Sequence, residues 1–225
     1  MDDAAGRGEL VVLVHGLWMG RAIWLFLARR LRRQGYRVAS FAYPSVRQGL
    51  TESALALEAF VRARPAIRLH LVGHSLGGLV VLRMLRDARS AALARVVLLG
   101  CPVAGCSAAG QLGRSRTGRW LLGAALPQWT PAEAPPTVRR FETGAIAGTR
   151  RFGVGSVLLR LPRLNDGVVM VDETVLPGMA DHLVLPVSHS GMVISGRVAD
   201  EVGTFLRTGR FAHRSQAIAR ATPLV

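Results

Sequence analysis

One serine in this chain stands in a setting that could make it a nucleophile. Ser75 lies within Leu69-His70-Leu71-Val72-Gly73-His74-Ser75-Leu76-Gly77-Gly78-Leu79-Val80, an apolar strand-like run, a glycine-flanked serine and the start of an apolar helix. A chain that passes from strand to helix within a few residues crowds its middle residue, and small neighbours such as Gly73 and Gly77 leave room for that. The hydroxyl then stands exposed above the sheet. Beneath it lie the unpaired first N–H groups and the positive dipole end of the helix, where a forming oxyanion would be stabilised. Chance alone supplies a G-x-S-x-G pattern about 0.15 times in a chain of this serine and glycine content, so context must carry the reading. That context is a strand before, a helix after, and an acid and a histidine downstream in that order.

The elements that must position Ser75 are legible as alternating apolar runs and helical spacings. Residues 10–14, 36–43, 67–72 and 94–99 read as short strands, and residues 21–34, 51–64 and 76–88 read as the helices between them, the second opened by Thr51 or a polar neighbour. Four strand-helix alternations imply a parallel sheet covered on both faces. The rhythm breaks over residues 103–140, rich in Gly, Ala, Arg and Pro, which is either a packed excursion or a lid over the site. Within it, residues 117–126 have the spacing of an amphipathic helix with Trp120, Leu121, Leu122 and Leu126 on the apolar side. The sheet resumes at 142–148 and 182–187, residues 197–207 read as a last helix, and 211–225 is a basic tail that is expected to be disordered in part.

In an open parallel sheet, ligands bind beyond the carboxyl ends of the strands. His15-Gly16-Leu17, Ser75, Asp166 and His189 each follow a strand and would share that edge. A serine hydroxyl is weakly nucleophilic at neutral pH, so an imidazole must take its proton as the bond forms, and a carboxylate must orient that imidazole. His189 follows the last strand. His15 and His74 belong to other motifs, His70 and His182 lie in or at strands, and His213 lies in the tail. For the acid, Asp166 competes with Asp172, Asp181 and Asp87, and the segment Asn165-Asp166-Gly167, 18 residues past Gly148, also reads as a simple turn. His74 fills a variable position beside the serine and receives no catalytic role. Gly77 and Gly78 read as sites of close helix-to-sheet packing.

The order Ser75, Asp166, His189 resembles the α/β-hydrolase superfamily. Val14-His15-Gly16-Leu17, Gly73-His74-Ser75-Leu76-Gly77-Gly78, Asn165-Asp166-Gly167-Val168-Val169 and His189-Ser190-Gly191 are similar to motifs of its bacterial lipase and esterase members. The resemblance spans most of residues 10–207 and is weakest over 103–140. It implies an α/β fold with a mostly parallel sheet of about six strands, helices on both faces and a lid-like insertion, a reduced form that begins at the superfamily's third strand. It also implies Ser75 as nucleophile, His189 as general base and acid, Asp166 as the orienting carboxylate, and the backbone N–H groups of Leu17 and Leu76 as an oxyanion hole. Trp18 would then face the acyl pocket. The implied activity is hydrolysis of carboxylic esters with apolar or lipid-like acyl groups. Thioesterase or acyltransferase action uses the same triad, and a non-catalytic binding protein of the same fold is the further alternative.

Composition bounds the rest. A chain of 225 residues, 50% apolar, supplies the core of one α/β domain. Its acidic, polar start lacks the pattern of a secretory signal and no apolar run reaches membrane-spanning length, so a cytoplasmic protein is expected. Cys101 and Cys106 are read as reduced thiols, and the scattered histidines predict neither a metal nor a cofactor. The net charge of +15 comes from arginine alone, since the chain has no lysine. Arg29, Arg30, Arg32 and Arg33 close a helix on a solvated face, and no nucleic-acid motif accompanies them, so no nucleic-acid partner is expected. Weak association with an anionic membrane surface is compatible with the charge. The expected partner is a small-molecule acyl ester substrate, and no oligomeric state is legible.

Overall fold

The computed structural model describes residues 8–87, 92–124, 128, 141–152, 159 and 161–213. Six strands, β1 (Glu9–Val14), β2 (Arg37–Phe41), β3 (Arg68–His74), β4 (Leu93–Leu99), β5 (Glu142–Gly148) and β6 (Asp181–Leu185), form one sheet in the order β2-β1-β3-β4-β5-β6. Every neighbouring pair is parallel, so all six carboxyl ends meet at one edge. The helices are α1 (Leu25–Arg33), α2 (Leu50–Arg62), α3 (Leu76–Asp87), α4 (Ser107–Leu112), α5 (Arg116–Leu122) and α6 (Gly196–Thr208).

The near-continuous apolar strands follow from burial on both faces. Along β1, Leu10, Val12 and Val14 enter one core layer with Leu50 and Leu57 of α2 and Leu79 and Leu82 of α3. Val11 and Leu13 enter the opposite layer with Trp24, with Leu27 and Leu31 of α1, and with Val198, Val202 and Phe205 of α6. Each layer is anchored by fully buried large side chains, Trp24 and Phe205 on one side and Leu57, Leu79 and Leu82 on the other. This two-sided packing holds the carboxyl edge as a rigid platform.

Several local expectations are revised. The helix expected over 21–34 is a 3-10 turn at Arg21–Trp24 that runs into α1. Thr51 does not open α2; Gly49 precedes it, and the Glu52 carboxylate accepts the Gly49 N–H at 3.3 Å. The stretch after β4 holds a helix without a clear apolar stripe, α4, and the helix expected over 117–126 is α5. Ser115 Oγ opens α5 by accepting the Gly118 N–H at 2.9 Å, and Gly123 ends it with φ 66°. Leu122 is buried, but Trp120 is 64% exposed rather than packed under the helix. Residues 125–127 and 129–140 and the side chain of Leu121 lie outside the described residues, and with them Leu126 and the later part of the expected lid. The start of the expected tail is docked: Phe211 is buried, its N–H donates to Asp181 Oδ2 at 2.8 Å, and the Ala212 N–H donates to Glu201 Oε2 at 2.7 Å. Residues 214–225 lie outside the described residues. Among the described residues no helix is long and apolar enough to cross a membrane.

Candidate active site

Strand β3 ends at His74 and helix α3 begins at Leu76, so Ser75 alone makes the reversal, at φ 52°. A non-glycine residue held there costs about 1–3 kcal/mol, which the surroundings must offset. Its N–H donates to the Leu99 carbonyl at 2.9 Å, and its own carbonyl accepts the Gly78 N–H at 2.9 Å. A Cβ at Gly77 would collide with the carbonyl oxygens of Val14 and His15, so glycine is required for α3 to start this close to β1.

The acid and the histidine meet at the same edge. His189 Nδ1–H donates to Asp166 Oδ2 at 2.7 Å, and the His189 N–H donates to the Asp166 carbonyl at 3.0 Å. Asp166 Oδ1 accepts the N–H groups of Val168 and Val169 at 2.9 and 2.8 Å. Burial pushes the Asp166 carboxyl up, but the His189 imidazole and these N–H donors outweigh it and hold the group below the usual carboxylate range. With Nδ1 tied to a carboxylate, Nε2 is the nitrogen left to take and return a proton. Gly100 (φ 53°) locates the pair relative to the serine: a Cβ there would lie 3.1 Å from both Asp166 Oδ2 and His189 Nδ1. Gly100 follows Leu99, whose carbonyl holds the Ser75 N–H. The structure therefore pairs His189 with Asp166 and sets Ser75 at the same edge of the sheet, through Leu99 and Gly100.

It separates the competing acids from them. Asp172 is half-exposed and ion-paired to Arg163, and Asp181 opens β6 at the opposite edge, where it binds the Phe211 N–H and His213. The Asp87 side chain lies outside the described residues. The turn at Asn165-Asp166-Gly167 is real, with Asn165 Oδ1 accepting the Gly167 N–H at 3.0 Å, and it presents the acid as well.

The segment carrying Leu17 is braced by an aromatic pair. The His15 ring stacks on Tyr43 at 4.6 Å, Tyr43 Oη–H donates to the His15 carbonyl at 2.9 Å, and His15 Nδ1–H donates to the Gly16 carbonyl at 2.9 Å. Burial lowers the pKa of His15, which keeps it neutral and structural. Leu76, first residue of α3, carries one of the N–H groups that a helix leaves without an internal acceptor. Cys101 and Cys106 are free thiols pushed up by burial, Cys106 to about 11, so neither is a thiolate at neutral pH.

Two contributors escape a reading of the sequence. His74, fully buried, donates from Nε2–H to the His189 carbonyl at 2.9 Å, and the two rings lie 4.7 Å apart. A carbonyl can only accept, so the His74 proton is on Nε2, which leaves Nδ1 bare and without a partner. Burial, reinforced by the neighbouring His189, lowers its pKa to about 3. Glu173, also buried, accepts the Ser107 N–H at 2.6 Å and the Met170 N–H at 2.8 Å, tying the acid-bearing loop to α4. Neither contact has a local signal in the sequence, because the partners are remote or are backbone groups.

Comparison with known proteins agrees with this architecture. The profile described as the alpha/beta hydrolase family matches residues 11–209, and the chain belongs to that family. No curated protein sequence matches it. Among solved structures, the mature Bacillus licheniformis lipase BlEst2 is similar at 20% identity, with a TM-score of 0.73 over 90% of this chain and 92% of that one. A putative aryl esterase from Burkholderia cenocepacia is similar at 16% identity, with a TM-score of 0.65 over 92% of each chain. An esterase from Exiguobacterium antarcticum is similar at 14% identity, with a TM-score of 0.63 over 90% of this chain and 93% of that one. At these identities the likeness is one of fold.

Proposed function

We propose that this member of the alpha/beta hydrolase family cleaves carboxylic esters through an acyl-serine intermediate, with Ser75 as nucleophile, His189 as general base and acid, and Asp166 as the orienting carboxylate. The observation that carries the reading is the Asp166–His189 pair at 2.7 Å, seated against Gly100 beside a serine held at φ 52°. Ser75 Oγ attacks the ester carbonyl as His189 Nε2 takes its proton, and Asp166 steadies the imidazolium that results. The N–H groups of Leu17 and Leu76 receive the oxyanion, each donor being worth about 3 kcal/mol to the transition state. Collapse breaks the C–O bond to the alcohol, which leaves with the proton from His189. Water then attacks the acyl-serine, again giving its proton to Nε2, and the acid departs as Ser75 Oγ is reprotonated. The half-exposed Trp18 and its neighbours Leu17 and Met19 favour an apolar acyl group.

The test is a chain-length series of chromogenic acyl esters and thioesters with the parent and Ser75→Ala proteins, together with fluorophosphonate labelling. The expected result is hydrolysis and labelling in the parent and neither in the variant. Unchanged hydrolysis by Ser75→Ala would overturn the assignment of the nucleophile.

A further inference from the structure

Beside Leu17 the surface opens into a cleft of about 480 Å³ lined by Trp18, Val46, Arg47, Arg119, Trp120 and Gly123. Two indoles stand at its mouth in mutual contact, centroids 5.1 Å apart, with Trp18 52% and Trp120 64% exposed. Trp18 sits at φ 59°, a left-handed conformation that an ordinary surface tryptophan has no reason to adopt. The anchorage is firm. The Ala124 N–H donates to the Val46 carbonyl at 2.9 Å, and a Cβ at Gly123 would lie 2.7 Å from that same oxygen and 3.3 Å from Leu17 Cδ1.

Among the described residues that line this mouth, the charge is of one sign. Arg47, Arg114, Arg116 and Arg119 are all exposed. The chain has no carboxylate between Glu9 and Glu52, nor between Asp87 and Glu133, and these two stretches supply every residue lining the cleft. Glu52, next along the chain, is turned to the Gly49 N–H. The groove at the opposite edge of the sheet differs, because there Arg62 pairs with Glu58 at 2.6 Å. Exposed indoles flanked by unopposed guanidinium groups match the boundary of a bilayer, where indole rings settle at headgroup depth and cations meet lipid phosphates.

We propose that this edge docks the protein on a bilayer containing anionic lipids, with the Trp18–Trp120 pair entering the headgroup layer and Arg47 and Arg119 against lipid phosphates. The inference deepens the ester-hydrolase reading and rests on it for the substrate, an acyl ester that enters from the lipid surface. Docking itself is measured without hydrolysis, on vesicles of dialkyl-ether lipids that contain no carboxylic ester. Dialkyl-ether glycerophosphocholine vesicles with and without the anionic dialkyl-ether glycerophosphoglycerol are titrated with parent and Ser75→Ala protein, and bound protein is read by sedimentation.

Binding is expected only with the anionic glycerophosphoglycerol lipid present, equal for parent and Ser75→Ala, and falling as salt is raised. Arg47→Gln and Arg119→Gln should each weaken it about fivefold and together about 25-fold, from about 1 kcal/mol per cation at an anionic surface. Arg114→Gln/Arg116→Gln provides a second pair should the first lose stability in a thermal melt, and Trp120→Ala should weaken binding as well. Arg29→Gln/Arg33→Gln, on the exposed side of α1, removes equal charge elsewhere. The proposal is overturned by equal binding to both vesicle types, by an equal loss in the α1 variant, or by full displacement with soluble glycerol phosphate. Docking that persists in a protein inactive on every ester would overturn the hydrolase reading and leave this one standing.

Discussion

Replacing His74 by Phe tests both the electrostatics of the site and the way His189 is held. His74 is fully buried, its Nδ1 has no partner to receive a proton, and its pKa falls to about 3 from 6.5. Between these values the unfolded chain binds a proton that the folded one refuses, so stability rises with pH and is lost as pH falls from about 6.5 towards 3. At pH 5 the penalty is 1.36 kcal/mol multiplied by 1.5 pH units, about 2 kcal/mol. Removing the imidazole removes this loss, whatever offset the lost hydrogen bond imposes at neutral pH. The assay is urea unfolding at pH 7.5 and pH 5 for the parent, His74→Phe and His74→Gln, with a soluble chromogenic ester for turnover. Both variants should lose about 2 kcal/mol less than the parent between the two pH values, equivalent to about 4–8 °C in a thermal melt of a chain this size. Turnover should fall further in His74→Phe than in His74→Gln, since the amide retains a donor for the His189 carbonyl. The other histidines with lowered pKa, His15, His70 and His182, contribute the same sign in all three proteins and cancel in the difference. Identical pH dependence in parent and variants would refute the reasoning.

Four further substitutions discriminate among the contacts. Asp166→Asn should lower turnover of a soluble ester by about 10⁴, while Asp172→Asn, which only releases Arg163, should leave it near the parent value; the reverse ranking would move the acid to Asp172. Glu173→Gln puts an amide donor against one of two backbone N–H groups and should cost about 1–3 kcal/mol by urea unfolding, and an unchanged midpoint would show that the carboxylate does not tie the acid loop to α4. Gly77→Ala forces a methyl into the carbonyls of Val14 and His15 and should destabilise by about 3 kcal/mol with loss of fluorophosphonate labelling; a fully labelled variant of parent stability would refute the close approach of α3 to β1.

What was legible in the sequence was whatever burial or backbone geometry writes into adjacent residues. A strand covered on both faces is mostly apolar, so β1, β3 and β4 show as apolar stretches, and the Ser75 reversal shows as a serine between glycines. His189 shows by its place after the last strand. Asp166 was harder, because 18 residues separate it from β5 and the choice against Asp172 turns on which carboxylate reaches His189 through space. His74 and Glu173 left no local trace. One acts on a carbonyl 115 residues away, and the other on N–H groups of any residue type. The opening of α2 is legible only in its polar neighbour: Gly49 offers no side chain to recognise, and the cap comes back from Glu52.

The double clasp between Asp166 and His189, one bond from backbone to backbone and one from side chain to side chain, ties the acid's position to the histidine itself. The described part of the connection from β5 is packed as well: the Thr149 and Arg150 N–H groups donate to the Leu185 and Val187 carbonyls, and Leu159 and Leu161 are buried with Ala108 and Met170. The span after β6 is shorter. Its few residues between Leu185 and His189 set the imidazole's place directly, so an insertion of even one residue there would carry both partners away from Ser75.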